Sequence, residues 1–126
     1  MKQYGLIGKV LVHSFSKKFF TEKFEKEGID AKYDLFELPT IEEFKKLVEE
    51  KELYGLNVTI PYKEQVIPFL DELDPTAEGI GAVNTIKFIR DSRGCRLKGF
   101  NTDIIGFRDS IKPLLRDAHD KALVLG

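Results

Sequence analysis

Leu53-Tyr54-Gly55-Leu56-Asn57-Val58-Thr59-Ile60-Pro61-Tyr62-Lys63 is the stretch whose reading decides the fold. Leu53–Thr59 has the composition of a strand. Pro61 suits the first turn of a helix, where its missing N–H costs nothing. Val66, Ile67, Phe69 and Leu70 supply that helix with a buried side, and Pro68 should kink or shorten it. Working outward, the alternation of strand and helix continues in both directions.

Towards the N-terminus, Tyr4–Gly8 reads as a first strand and Ser14-Phe15-Ser16 opens a helix running to about Gly28, a good left-handed terminator. On that helix Phe20 and Phe24 share a face, and Glu22 and Lys26 pair on an exposed one. Ala31–Leu38 is a second strand. Thr40-Ile41-Glu42-Glu43 spells a capping box; Phe44, Leu47 and Val48 follow at helical spacing, and this helix should end near Glu52. Towards the C-terminus, Val83–Arg90 and Cys95–Asn101 flank Asp91-Ser92-Arg93-Gly94, a turn of hairpin length. An amphipathic helix over Ile104–Arg116 follows, and the chain closes on Lys121-Ala122-Leu123-Val124-Leu125-Gly126, a short apolar strand stopping on glycine. The pattern predicts an α/β fold: one domain with an open, mostly parallel twisted sheet and helices on both faces. Asn-Thr occurs in both Gly81–Thr85 and Gly99–Asp103, which reads as coincidence and not as a repeat.

Composition narrows the function classes. Twenty basic and 21 acidic side chains leave a net charge of −1, which gives no reason to expect nucleic acid or an anionic membrane as a partner. No apolar run approaches bilayer length. The single cysteine, Cys95, excludes an internal disulfide, and a reducing, cytoplasmic setting is the default expectation. His13 and His119 have no partners at metal-ligand spacing, so no metal is expected.

Four segments could carry chemistry. In His13-Ser14-Phe15-Ser16, two hydroxyls one residue apart can point together at the start of a helix, where free amides favour a carboxylate or phosphate. The plainer reading is that Ser16 only caps the helix. Lys17 and Lys18 oppose the dipole there, in mild favour of an anionic ligand. In Asn57–Lys63, strand-end side chains line the crevice of an open sheet, and a partly desolvated lysine can exchange protons near neutral pH. Otherwise Lys63 is one more solvated surface charge. In Gly79–Thr85, Asn84 offers one donor and one acceptor to a hydroxyl-rich ligand, or bonds its own backbone in a tight turn. In Gly99–Asp103, Asp103 is either a plain N-cap or the carboxylate that holds Lys63.

Together, Asn57–Lys63, Gly81–Thr85 and Gly99–Asp103 resemble the shikimate dehydrogenase family in identity, order and spacing. The resemblance implies reversible reduction of 3-dehydroshikimate to shikimate, with NADP held by a domain this chain lacks. It implies that Ser14 and Ser16 hold the substrate carboxylate, that Thr59, Asn84 and Asp103 bond ring hydroxyls with Asn57 close by, and that Lys63 is the catalytic lysine working with Asp103. On that view residues 1–103 are the substrate domain, and 104–126 are a linker helix and the first strand of the cofactor domain. Lys17, Phe20, Thr21 and Val10 depart from the family's common residues, which bears on the packing of the first helix more than on the serines. The resemblance further implies that a returning C-terminal segment normally covers this domain. Its loss exposes an apolar patch that invites self-association, for instance as a homodimer. A quinate-preferring relative and a non-catalytic hydroxy-acid-binding module are the alternatives; the pairing of Lys63 with Asp103 weighs against the second.

Overall fold

The computed structural model describes residues 1–12 and 14–125, so His13 and Gly126 lie outside the described residues. In chain order the elements are β1 (Lys2–Gly8), α1 (Phe15–Glu27), β2 (Ala31–Glu37), α2 (Glu43–Glu50), β3 (Leu53–Val58) and α3 (Tyr62–Gln65). There follow β4 (Glu72–Leu73), α4 (Pro75–Ile80), β5 (Thr85–Asp91), β6 (Gly94–Phe100) and α5 (Asp103–Ile111). The strands form one sheet in the order β2-β1-β3-β5-β6-β4. The β1–β2, β1–β3 and β4–β6 pairings are parallel, and β5 runs antiparallel to both its neighbours. The expected α/β architecture therefore forms, with the hairpin inserted as an antiparallel wedge.

Side chains alternate across a strand, so neighbours in sequence serve opposite faces. Ile7 goes to the larger core with Phe44, Leu53, Val66, Val83 and Ile86. Leu6 goes to the smaller one with Leu11 and Tyr33, against which Phe20 and Phe24 of α1 pack. Helices thus lie on both faces, α1 on one and α2 to α4 on the other. Gly5 is required by close packing: a Cβ there would stand 2.4 Å from Phe36 and 2.5 Å from the Asp34 carbonyl oxygen.

The second face is covered only over β2 and β1. Beyond them an open groove of about 430 Å³ is lined by Tyr4, Phe24, Tyr54, Phe100 and, at one end, Asn57 and Thr85. Among the described residues no helix is long and apolar enough to cross a membrane.

Several boundaries differ from expectation. The capping box at Thr40 is not made. Residues 40–42 form a turn, with Glu43 N–H on the Thr40 carbonyl, because Ile41 is drawn into the core. Pro68 does shorten its element, leaving one turn of α3 and then a 3₁₀ turn over Ile67–Phe69. Helix α4 was not anticipated, although Asp74 caps it through Thr76 N–H and Pro75 sits at its first position. The last helix stops at Ile111 instead of Arg116, since Pro113 turns the chain into a 3₁₀ segment. The closing strand does not form over residues 121–125, which are exposed and have no neighbouring strand to pair with. Glu22 and Lys26 make no ion pair; Lys23 and Glu27 do, at 3.7 Å. Both pairs lie on solvated surface, where little energy selects one over the other.

Two outcomes test this packing. Gly5→Ala should destabilise the fold by about 1–3 kcal/mol, because a backbone oxygen cannot yield; an unchanged urea midpoint would refute the close approach. The second concerns buried phenols. Burial, partly offset by the Ser16 hydroxyl, pushes the Tyr33 pKa up from 10.0 to about 12, and burial with the Glu43 and Glu42 charges raises that of Tyr62. Below pH 10 both states hold neutral phenols. Above it the unfolded chain ionises first, so stability should fall as the pH rises from about 10 to 12. The fall should be shallower in Tyr33→Phe, and equal slopes in the two proteins would count against a buried Tyr33.

Candidate active site

The site lies where the carboxyl ends of β3 and β6 meet the amino end of β5, an edge that the antiparallel wedge creates. Three backbone bonds tie it together. Val58 N–H reaches the Asn84 carbonyl at 2.8 Å, Asn84 N–H the Phe100 carbonyl at 3.0 Å, and Val83 N–H the Lys63 carbonyl at 2.7 Å. Asn84 therefore stands between two strand ends, and α3 is moored to the loop before β5.

Lys63 lies in the single turn of α3, and its Nζ is 2.5 Å from Asp103 Oδ2 at the first position of α5. Asp103 is not the helix cap. Asn101, buried at 6%, does that work: its Oδ1 accepts from Ile104 N–H, and its Nδ2 donates to the Ala82 carbonyl. The carboxylate is thereby left free for the lysine. The ion pair is open, with side-chain exposures of 35% and 55%. Pairs this exposed contribute at most about 1 kcal/mol to stability, so folding does not explain this one.

A line of polar side chains leads away from the pair. Asn84 Nδ2 donates to Thr102 Oγ1 at 2.7 Å, while its Oδ1 accepts from Thr102 N–H at 2.9 Å and from the Thr85 hydroxyl at 3.1 Å. Asn57 Nδ2 lies 3.5 Å from Thr85 Oγ1, and Asn57 Oδ1 accepts from the Tyr33 hydroxyl at 2.8 Å. The two Asn-Thr pairs, read as coincidental, thus bond directly to each other. Asn84 neither forms a tight turn on its own backbone nor keeps an acceptor for a ligand; one N–H remains.

Thr59 is pinned by its N–H to the Ile7 carbonyl and by its own carbonyl to Tyr62 N–H. Gly8 makes room for it, since a Cβ there would come within 2.6 Å of Thr59 Cγ2. Ser14, not Ser16, caps α1, its Oγ accepting from Lys17 N–H at 3.3 Å. That bond uses an oxygen lone pair and leaves the Ser14 O–H as a donor. Ser16 sits in the first turn and interacts with Tyr33. Lys17 leans towards Asp34 at 3.9 Å. Of the sequence-predicted residues, Lys63 and Asp103 pair with each other, and Asn84 and Asn57 join one polar line that ends on Thr102, beside Asp103 in sequence. Ser16 meets that line through Tyr33, and the Ser14 oxygen accepts within its own helix.

Tyr33, Thr85 and Thr102 were missed as members of this line. Thr85 and Thr102 lay inside segments already singled out, but their side chains gain meaning only once β5 and β6 pair. Tyr33 stands two strands from Asn57, and nothing in its local sequence points there.

Comparison with known proteins places the chain. The family described as "Shikimate dehydrogenase substrate binding domain" matches residues 6–86. An NADP⁺-dependent shikimate dehydrogenase of Aquifex aeolicus is 42% identical over 127 residues, spanning 98% of this chain and 45% of that protein. The crystal structure of shikimate dehydrogenase 1 from Peptoclostridium difficile is 35% identical with a TM-score of 0.80, covering 90% of this chain and 43% of that one. A shikimate 5-dehydrogenase from Thermus thermophilus, solved in complex with NADP(H) and shikimate, is 33% identical with a TM-score of 0.76 over 90% of this chain and 42% of that one. The chain spans less than half the length of these relatives. Since the family match covers most of its residues and its fold agrees with the family's solved structures, the chain belongs to the shikimate dehydrogenase substrate-binding domain family.

Proposed function

We propose that this chain is the substrate-binding half of a cytoplasmic, NADP-dependent shikimate dehydrogenase, which interconverts 3-dehydroshikimate and shikimate in aromatic amino-acid biosynthesis. One observation carries the reading: an exposed ion pair, Lys63 with Asp103, held across a crevice by two elements that are each moored to the loop before β5. Residues 1–103 form the substrate site, and 104–126 lead into the second domain.

The cofactor is held by the part of the relatives' length that this chain does not span. When bound there, NADPH supplies hydride to the substrate ketone. What this chain does follows from its own groups. Reduction leaves a developing alkoxide; the Lys63 ammonium stabilises that charge and hands over a proton, and Asp103 holds the ammonium in place. Ser14 donates its hydroxyl proton to the substrate carboxylate, and Ser16 joins it by turning its hydroxyl from Tyr33 to the substrate. Thr59, Asn84 and Asp103 meet the ring hydroxyls, with Asn57 beside them. The open groove on the β3–β5–β6 face seats part of the relatives' length that this chain does not span.

In the enzyme joined to its cofactor half, Lys63→Ala should lower kcat/KM by about 10²–10⁴, the range for a lost proton donor. Asp103→Asn should also lower turnover, yet shift stability by less than about 1 kcal/mol, because the pair is solvent-exposed. Full activity in either variant would sink the assignment. For the chain alone, sedimentation should show a mass that grows with concentration, driven by the uncovered apolar face; a monomer at all concentrations would contradict that.

A further inference from the structure

Tyr33 is 4% exposed, and its ring stacks on Phe20 of α1 with centroids 4.8 Å apart and planes at 15°. From β2 the side chain crosses β1 to put its hydroxyl 2.8 Å from Asn57 Oδ1 on β3. An ordinary buried tyrosine needs one partner, and many core groups would serve. This one spends its bond on a residue of the polar line.

The consequence is a direction. A phenol that donates to Oδ1 fixes which end of the Asn57 amide faces it, so Nδ2 must face Thr85 and the crevice. The Thr85 oxygen then accepts, and its proton goes to Asn84 Oδ1. Asn84 Oδ1 also takes Thr102 N–H, which turns Asn84 Nδ2 onto Thr102 Oγ1. Thr102 in turn keeps its own proton for whatever lies beside Lys63 and Asp103. The Asn84 oxygen is saturated and the Asn57 oxygen is turned to Tyr33, so beside the Asp103 carboxylate these amides offer the crevice their N–H donors.

We propose that Tyr33 is a positioning residue: it holds the Asn57 amide with Nδ2 towards Thr85 and the crevice, in register with the direction that the Thr102 N–H imposes on Asn84 and Thr85, so that Asn57 presents a donor to the oxygens of the ligand. Tyr33 does this without touching the ligand. The Asn57–Thr85 separation of 3.5 Å is the weakest link and the place where a ligand oxygen can compete for the Asn57 N–H. A phenol keeps its proton throughout the neutral range, and burial lifts that of Tyr33 further, to about 12. The ligand named in the test rests on the proposed function; the direction of the line does not.

The test uses Tyr33→Phe and side-chain amide NMR on the 126-residue chain. Without ligand, the Asn57 NH₂ pair should move in Tyr33→Phe, and both asparagine pairs should move in Thr85→Val. With shikimate as the probe, Tyr33→Phe should raise Kd by about 5–10-fold, where tenfold corresponds to about 1.4 kcal/mol. In an Asn57→Ala background the same substitution should change Kd less than about twofold, since coupled residues are non-additive. Equal losses in both backgrounds, or an unmoved Asn57 amide, would overturn the proposal. Should Tyr33→Phe fail to fold, Thr85→Val decides alone: unmoved Asn57 and Asn84 amides overturn it. If the wild type binds shikimate neither alone nor with its second domain attached, the functional reading fails, while the ligand-free spectra still judge the line.

Discussion

The antiparallel insertion of β5 between β3 and β6 is the constraint on which everything else rests. A wholly parallel sheet would gather strand ends of one polarity at the crevice. Reversing one strand brings the start of β5 to the same edge as the ends of β3 and β6. Asn84 can then bond both neighbours through its backbone and Thr102 through its side chain. The core supports this edge from beneath. Val83 is fully buried, and Gly99 lies where a Cβ would fall within 3 Å of Leu70, Val83 and Leu73. Close packing under the site and hydrogen bonding within it thus act on the same few residues.

The energies separate structure from chemistry. Burial of Ile7, Phe44, Leu53, Val66 and Ile86 accounts for the fold, each worth roughly 1.5–3 kcal/mol relative to exposure. The Lys63–Asp103 pair is too exposed to add much. Asn101 accepts the Ile104 N–H at the start of α5 and spares Asp103 that duty. A group released from structural work and held against a lysine at a crevice is free to act on a ligand.

Much of this was legible in the sequence, for identifiable reasons. Gly28 after a helix and the turn at Asp91–Gly94 are local signals that tertiary contacts did not override, whereas Pro61, expected in the first turn, stands just before its helix. Lys63 and Asp103 were legible because strand ends and helix starts line the crevices of open sheets. The capping box at Thr40 misled because burying Ile41 outweighed a surface cap. Helix α4 carried a good cap but is too short for periodicity to reveal. The strand expected at the end of the chain depends on neighbouring strands to pair with. Tyr33 was out of reach of any local reading, since its bond spans 24 residues and crosses a strand. The roles given to Ser14 and Ser16 differ from the simple cap assignment because helix α1 starts two residues earlier than that reading required.

The most direct measurement is a backbone amide NMR titration of this chain with shikimate, followed by quinate. Half a site is expected to bind weakly, at a Kd of about 1 mM, or about −4 kcal/mol. The account predicts saturable shifts centred on Ser14, Ser16, Asn57, Thr59, Lys63, Asn84 and Asp103, with shikimate the tighter acid. Saturable shifts centred elsewhere, or a well-dispersed spectrum unmoved by both acids in this chain and in the protein with its second domain attached, would contradict it.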